Sequence, residues 1–481
     1  MSVSGQTTSL KEMQVFHLAR VNLMSIVSCP GKVLVAGGYL VLDQEYQGLV
    51  VGTDARLYSA VQSVADLDKH GLAPNHVPAD NLQNISNKQE VARIKVVSAQ
   101  FHEAVWNYGV YVDEKSEIEI HQLFDQAGDN GDEGKPKNTN RFIEATLRAT
   151  LFVINNIDDS KKLVSSKLKD LRIILAADND FYSQSQALKE RGLPPTTLGL
   201  SNLPKFCHTK CTLTNVNKTG LGSSAAMVTS LVGSLLHHFG VVGNLSSQSD
   251  SDKAKVEADK ALIHNISQYA HCLAQGKIGS GFDVSSAIYG SHIYNRFSPN
   301  VIADAMGNES DAKLVAKTCL NSSIWNNKVT EVKIPPGFIL RLADVDTGSH
   351  TPSMVSKVIR WRKNNPNEAS KLWEKISNTN QRICEIWKEL SDISEQDPES
   401  YISGITQCSA LPYSKWKTQA DRNKTMDLLI ELGGTCKTVR SLLKELGDNS
   451  DVPIEPSEQT RLLDACMECP GVVMAGVPGG N

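Results

Sequence analysis

Asn215–Gly240 reads NVNKTGLGSSAAMVTSLVGSLLHHFG: a polar, glycine-rich turn that runs straight into an apolar helix. Gly220 and Gly222 let the backbone bend tightly and approach a ligand with no Cβ in the way. Ser223 or Ser224 is expected to cap the helix that follows. Met227, Val228, Leu231, Val232, Leu235, Leu236 and Phe239 then recur at helical spacing, and Gly240 is a natural stop. A helix start of this kind offers unpaired N–H groups and a positive dipole end, and the two together hold phosphate.

Other phosphate loops fit less well. A Walker A loop ends in Gly-Lys-Ser/Thr, and no such run occurs here. Gly220-x-Gly222-x-x-Ala225 matches the relaxed dinucleotide pattern. That pattern needs a second strand ending in an acidic residue about 20 positions on. The place is held by Asn244-Leu-Ser-Ser-Gln-Ser-Asp250, which reads as a loop, so nicotinamide binding ranks low.

The chain has 481 residues, enough for two or three domains with sizeable cores. Its 49 basic and 53 acidic side chains leave a net charge of -4, which gives no bulk attraction for nucleic acid. No apolar run approaches the roughly 18 residues of a membrane span. Lys11, Glu12, His17 and Arg20 interrupt the first 25 residues, which read as a poorly ordered extension and not a signal peptide. Ten scattered cysteines suit a reducing, cytoplasmic setting. Cys207, His208 and Cys211 with Cys466 and Cys469 form a remote zinc possibility, against a simpler reading as thiols at element ends.

Strands are expected at Met24–Cys29, Lys32–Ala36, Leu49–Thr53, Arg56–Val64, Arg93–Ser98, Glu117–Leu123, Leu171–Ala176, Lys333–Asp346 and Gly471–Ala475. Helices are expected at Asn140–Asn156, Ala261–Gln275, Met354–Lys363, Ala369–Leu390, Trp416–Leu432, Thr438–Leu446 and Ser457–Cys469. Asp66–Asn87 reads as an insertion and Asp125–Asn140 as a linker. Ser246–Lys260 reads as a charged connection, and Asp304–Asn327 as a surface segment. The composition shifts from strand-rich to helix-rich near residue 330.

Three spaced segments together resemble the GHMP family of small-molecule kinases. They are Cys29-Pro-Gly-Lys-Val-Leu-Val-Ala-Gly-Gly-Tyr-Leu-Val-Leu42, the Lys218–Ala226 loop, and Ala475-Gly-Val-Pro-Gly-Gly480. The resemblance spans about residues 26–481. It implies an α+β, two-domain GHMP kinase fold. A strand-rich N-terminal domain of the ribosomal protein S5 domain 2 type would occupy 26–329, and a helix-rich α+β C-terminal domain 330–481. Within the family, Ala274–Asp283, Thr347–Val355 and Ile454–Thr460 resemble the eukaryotic branch whose acceptor is 5-phosphomevalonate. Mevalonate kinases usually carry Gly-Glu-His where this chain has Gly37-Gly38-Tyr39, which favours the phosphorylated substrate.

The resemblance implies ATP and Mg²⁺ as cofactors and a step on the mevalonate route to isoprenoids and sterols. Lys218, Gly220, Leu221, Gly222, Ser223, Ser224, Ala225 and Ala226 would hold the nucleotide, with Ser224 also a metal ligand. Lys32 and Asp283 match the family's catalytic positions. Tyr39, Lys277, Ser280, Ser349, Thr351, Ser353, Gly476, Gly479 and Gly480 are candidates for the substrate side. Two readings stay open beside this one. The acceptor is an alcohol, on mevalonate or a sugar; or the chain is an impaired ATP-binding member, because its third motif stops at Asn481 where the family pattern continues into strand. On sequence alone Asp283 also reads as a helix N-cap, and His264, His271 and His237-His238 as packing or surface residues.

Overall fold

The computed structural model describes residues 24–69, 84–85, 88–114, 117–123, 138–157, 168–246, 249, 251–343 and 351–477. The expected N-terminal extension up to residue 23 lies outside them. So do most of the 66–87 insertion and nearly all of the 125–140 linker. The chain divides into two compact units. The first holds the described residues up to Gly31, Asp54–Gly279 and Pro299–Trp325; the second holds Lys32–Thr53, Ser280–Ser298 and the chain from Asn326 on. Strands β1 (Ser25–Ala36) and β2 (Gln47–Ser63) each contribute to both.

The first unit is a mixed sheet faced by helices. Strand β3 (Asn84–Ile85) pairs with β4 (Lys88–Val97), which runs antiparallel to β5 (Val105–Val112). Beside β5 lies β6 (Ile118–Leu123). Strand β7 (Leu171–Ala177) is parallel to β4 and antiparallel to the second half of β2, in the register Leu57↔Ala177 to Ser63↔Leu171. Helix Arg141–Asn156 packs against Ser223–His238, Lys253–Gln275 and Ala312–Leu320. Helix Ser223–His238 is central. Its Val228, Leu231, Val232, Leu235 and Leu236 are fully buried, and so are Thr229, Ser230 and Ser234. Burial on several sides explains why its pattern is apolar nearly all round and not striped. Ser59 of β2 and Ser234 satisfy each other at 2.9 Å, so the sheet–helix seam buries no orphan hydroxyl there.

In the second unit β8 (His292–Asn295) is antiparallel to the first half of β2, and β9 (Lys328–Glu331) is antiparallel to β8. The helices Thr351–Asn364, Pro366–Gln396, Pro398–Ser409, Lys424–Ser450 and Ser457–Met467 follow. Ile383, Ile386, Trp387, Leu390, Trp416, Met426, Leu429 and Leu432 form one core with Ala36, Leu49 and Val51. A second core gathers Leu40, Val358, Leu372, Trp373, Ile376 and Leu446.

The structure corrects several expectations. The strand pairs expected on either side of Pro30-Gly31 and of residues 54–55 are single strands, β1 and β2. Pro30 is tolerated because β1 has, among the described residues, β2 as its one partner. Strand β5 went unread, although its aromatic and β-branched run VWNYGVYV is strand-like and buries Trp106, Tyr108 and Val110. The 304–327 stretch is not a loose surface segment. Helices Asn300–Gly307 and Ala312–Leu320 cover it and bury Ile302, Ala305, Val315, Ala316 and Cys319. The charged 246–260 connection is already helical from Lys253.

The described part of 333–346 holds no strand, and Ile339, Leu340 and Leu342 are exposed. Gly471–Ala475 is not a strand either; Val472, Val473, Met474 and Ala475 lie half-buried against the helical core without a ladder. The two helices read on either side of 433–437 are one, Lys424–Ser450. Gly433 does not interrupt the helix and serves close packing: a Cβ would sit 2.2 Å from Cε2 of Tyr413. Helix Pro398–Ser409 was missed despite clear start chemistry, with Asp397 accepting from Ser400 N at 3.1 Å and Pro398 in the first turn.

Candidate active site

The glycine-rich turn is held from one side by the segment Asn179–Ser183. Tyr182 and Lys218 form an antiparallel bridge. Ser183 N donates to Asn217 O at 2.8 Å, Thr219 N to Phe181 O at 3.2 Å, and Thr219 Oγ1 to Asp180 O at 2.5 Å. Buried Leu221 anchors the tip. Gly220 has φ 82° and Gly222 φ 77°, both in the left-handed region that a side chain resists.

The helix begins at Ser223, and its N-cap is Gly222, with no side-chain cap. The expected serine cap is therefore corrected. The chain enters the helix through a left-handed glycine, and both serines already lie inside the first turn. Their hydroxyls are used elsewhere: Ser223 bonds to the Tyr182 phenol, and Ser224 Oγ lies 3.1 Å from His271 Nε2. An uncapped first turn leaves leading N–H groups without intrahelical partners, pointed at whatever occupies the turn. Lys218 sits at an exposed position beside this turn, and partial desolvation lowers its pKa. Among the described residues no carboxylate pairs with it.

In the second unit Lys32 comes from β1 and is buried, 4% exposed. Its Nζ lies 5.4 Å from the centre of the Phe282 ring. Burial, partly offset by the Asp283 carboxylate, pushes its pKa down from 10.5 to about 8. Asp283 stands in the first turn of helix Phe282–Tyr289, with Oδ1 accepting from Val284 N at 2.9 Å. The N-cap is Gly281 (φ 85°), so the reading of Asp283 as the cap is corrected. Tyr294 donates its hydroxyl to Ser280 O at 2.8 Å. His292 ties the same helix to β8: Nδ1–H donates to Gly290 O and Nε2 accepts from Ser285, each at 2.9 Å.

The remaining substrate-side candidates are placed as follows. Tyr39 is half-buried, and desolvation pushes its phenol up to about 12, so it stays a neutral donor. Lys277 is exposed just past the end of helix Lys253–Gln275, in the first unit. Thr351 opens helix Thr351–Asn364, Ser353 is exposed in its first turn, and Gly476 is exposed. Ser349, Gly479 and Gly480 lie outside the described residues. All ten cysteines are free thiols. No group of three or more His, Cys, Asp or Glu side chains is arranged for a metal ion among the described residues, Cys207, His208, Cys211, Cys466 and Cys469 included. Tyr182 and Phe282 carry no local signal, and His271, expected at a packing or surface position, is buried with its ring nitrogen on Ser224, 47 positions away.

No family model matches the chain. It is 34% identical over 474 residues to the peroxisomal phosphomevalonate kinase of Arabidopsis thaliana, covering 95% of this chain and 88% of that one. It is 36% identical over 461 residues to a phosphomevalonate kinase of Gibberella zeae, covering 95% and 85%. This chain belongs to the phosphomevalonate kinase family. Among solved structures, the Lin0012 protein from Listeria innocua shares the fold, with a TM-score of 0.51 at 14% identity, over 92% of this chain and 84% of that one. For a phosphomevalonate kinase family member, the dinucleotide reading of Gly220-x-Gly222-x-x-Ala225 falls away. The same residues remain as an open helix start beside a lysine, and Lys32 with Asp283 remains as a buried cation beside an anion.

Proposed function

We propose that this chain transfers the γ-phosphoryl group of ATP to the phosphate of 5-phosphomevalonate, giving 5-diphosphomevalonate and ADP. The observation that carries the reading is the buried Lys32 beside Asp283, in a chain whose relatives are phosphomevalonate kinases. Phosphoryl transfer asks for positioning and charge neutralisation more than for covalent chemistry. A desolvated ammonium does this well, because its field is weakly screened where charge develops.

The acceptor is a phosphate oxygen, already largely ionised near neutral pH. A strong general base is not needed. Asp283 is assigned to holding Lys32 in its charged form and orienting the acceptor. The backbone of Gly220–Ala226, which includes the leading N–H groups of the helix, and the ammonium of Lys218 are assigned to the ATP phosphates. Ser224 Oγ is a hard oxygen of the kind Mg²⁺ takes alongside phosphate oxygens and water. Bound there, the ion would neutralise charge on the phosphates. Tyr39, Lys277, Ser280, Thr351, Ser353 and Gly476 are assigned to the substrate side as donors or close backbone. Ten free thiols suit the cytoplasm, and the Arabidopsis relative is named peroxisomal.

The test is ADP release by the purified chain with ATP and Mg²⁺, offered 5-phosphomevalonate, mevalonate or galactose in turn. Turnover with 5-phosphomevalonate alone is expected. Turnover with mevalonate or galactose in its place would move the acceptor to an alcohol.

A further inference from the structure

His271 is 2% exposed, near the end of helix Lys253–Gln275. Its ring lies 5.5 Å from that of Phe142, tilted by 44°. Burying an imidazole in a helix–helix seam costs more than burying a leucine unless its nitrogens are used. Here Nε2 is used: Ser224 Oγ stands 3.1 Å away and the Gln275 amide nitrogen 3.4 Å away. An amide nitrogen only donates, so the ring nitrogen it approaches is an acceptor. That nitrogen has one in-plane lone pair, so the nearer Ser224 O–H is its hydrogen-bond donor while the Gln275 amide at 3.4 Å only flanks it, and Ser224 keeps both oxygen lone pairs.

We propose that His271 is a positioning residue for the nucleotide loop: it fixes the Ser224 hydroxyl so that its lone pairs face the cation carried by the ATP phosphates. The proposal rests on the assignment of Gly220–Ala226 to the triphosphate. An unattached serine spreads over three staggered rotamers, whereas one tied to a buried ring presents its oxygen in a single direction. Ser223, one residue earlier, is tied instead to Tyr182. The two serines are thus fixed by different elements, and only Ser224 depends on Lys253–Gln275.

The experiment measures equilibrium binding of a non-hydrolysable ATP analogue with Mg²⁺, together with the thermal midpoint, on the full chain. The variants are Ser224→Ala, His271→Phe, His271→Gln and the double variant Ser224→Ala/His271→Phe. Phenylalanine keeps the ring volume and removes the nitrogen, while glutamine restores a polar end. Ser224→Ala and His271→Phe are each expected to weaken binding about tenfold, the scale of one lost hydrogen bond to a charged site. The double variant should be no weaker than Ser224→Ala alone, because His271 acts through that hydroxyl. His271→Gln should recover most of the affinity, and the KM for 5-phosphomevalonate should not move. Additive losses in the double variant would overturn the proposal. So would wild-type affinity in His271→Phe, or equal losses in His271→Phe and His271→Gln that track a lowered midpoint. If Ser224→Ala itself binds the analogue like the wild type, the loop assignment falls and this proposal with it.

Discussion

The ammonium of Lys32 stands 5.4 Å from the centre of the Phe282 ring, and the next residue along, Asp283, is the anion that raises its pKa against burial. The aromatic face and the carboxylate both favour the charged form, and desolvation opposes it. The balance leaves the group at about 8, close to neutral pH.

That balance sets a pH dependence. Lys32 acts as a cation, so kcat/KM is expected to fall as pH rises through about 8, the value for the free protein. Lys32→Arg keeps its charge to far higher pH and should lack this limb, whatever its maximum rate. Lys32→Met should lower kcat/KM about 10²- to 10³-fold, the scale for removing one group that stabilises developing charge. The same shift has a stability consequence of known sign. Between pH 8 and 10.5 the unfolded chain binds more protons at this lysine than the folded chain, so unfolding free energy from this group rises with pH. A kcat/KM profile flat to pH 10 in the wild type would contradict the role given to Lys32.

A second titration acts at the acid end. Burial pushes His292 down from 6.5 to about 4, and its two hydrogen bonds join helix Phe282–Tyr289 to β8. The folded pKa lies below the unfolded one, so the stability from this neutral imidazole is present above pH 6.5 and is lost as pH falls towards 4. His292→Gln is expected to be less stable at pH 7.5 and to lose less on acidification. Thermal midpoints at pH 7.5, 6 and 5 check this, and parallel curves for the two proteins would count against it.

Gly222 tests the loop. It enters the helix at φ 77°, ψ 42°, which costs an L-residue on the order of 1 kcal/mol. Gly222→Ala should lower stability by about that amount and raise the KM for ATP more than that for 5-phosphomevalonate. Equal effects on both would show that the turn is not specific to the nucleotide.

Gly433 tests the helical core. Alanine there would drive a methyl to 2.2 Å from Tyr413 Cε2 and force the ring or the helix to shift. Gly433→Ala is expected to destabilise by about 1–3 kcal/mol in a denaturant titration, the usual scale of overpacking. The better helix propensity of alanine works the other way, by about 1 kcal/mol. A net gain in stability would show that the contact is readily relieved.

Sequence was most legible where periodicity and turn chemistry agreed. Helix Arg141–Asn156 starts on Asn140, whose side chain accepts from Phe142 N and Ile143 N, and its apolar stripe is the buried one. The open helix start at Ser223 was readable as a phosphate turn because two glycines precede a long apolar run. Legibility failed where tertiary packing overrode local signals. Gly433 looks like a break and is a contact. Residues 471–475 look like a strand and lie as coil on a helical core. His271 gains its meaning from Ser224, in another helix, so no local pattern could expose it. Lys32 and Asp283 were reached through family motifs, since 251 positions separate them and a strand-end lysine is ordinarily solvated.

The central claim is tested most directly by incubating the purified chain with γ-labelled ATP, Mg²⁺ and 5-phosphomevalonate and following where the label goes. The account predicts label in 5-diphosphomevalonate, and loss of that transfer in Lys32→Met with nucleotide still bound. Label appearing only as inorganic phosphate, or transfer undiminished in Lys32→Met, would contradict it.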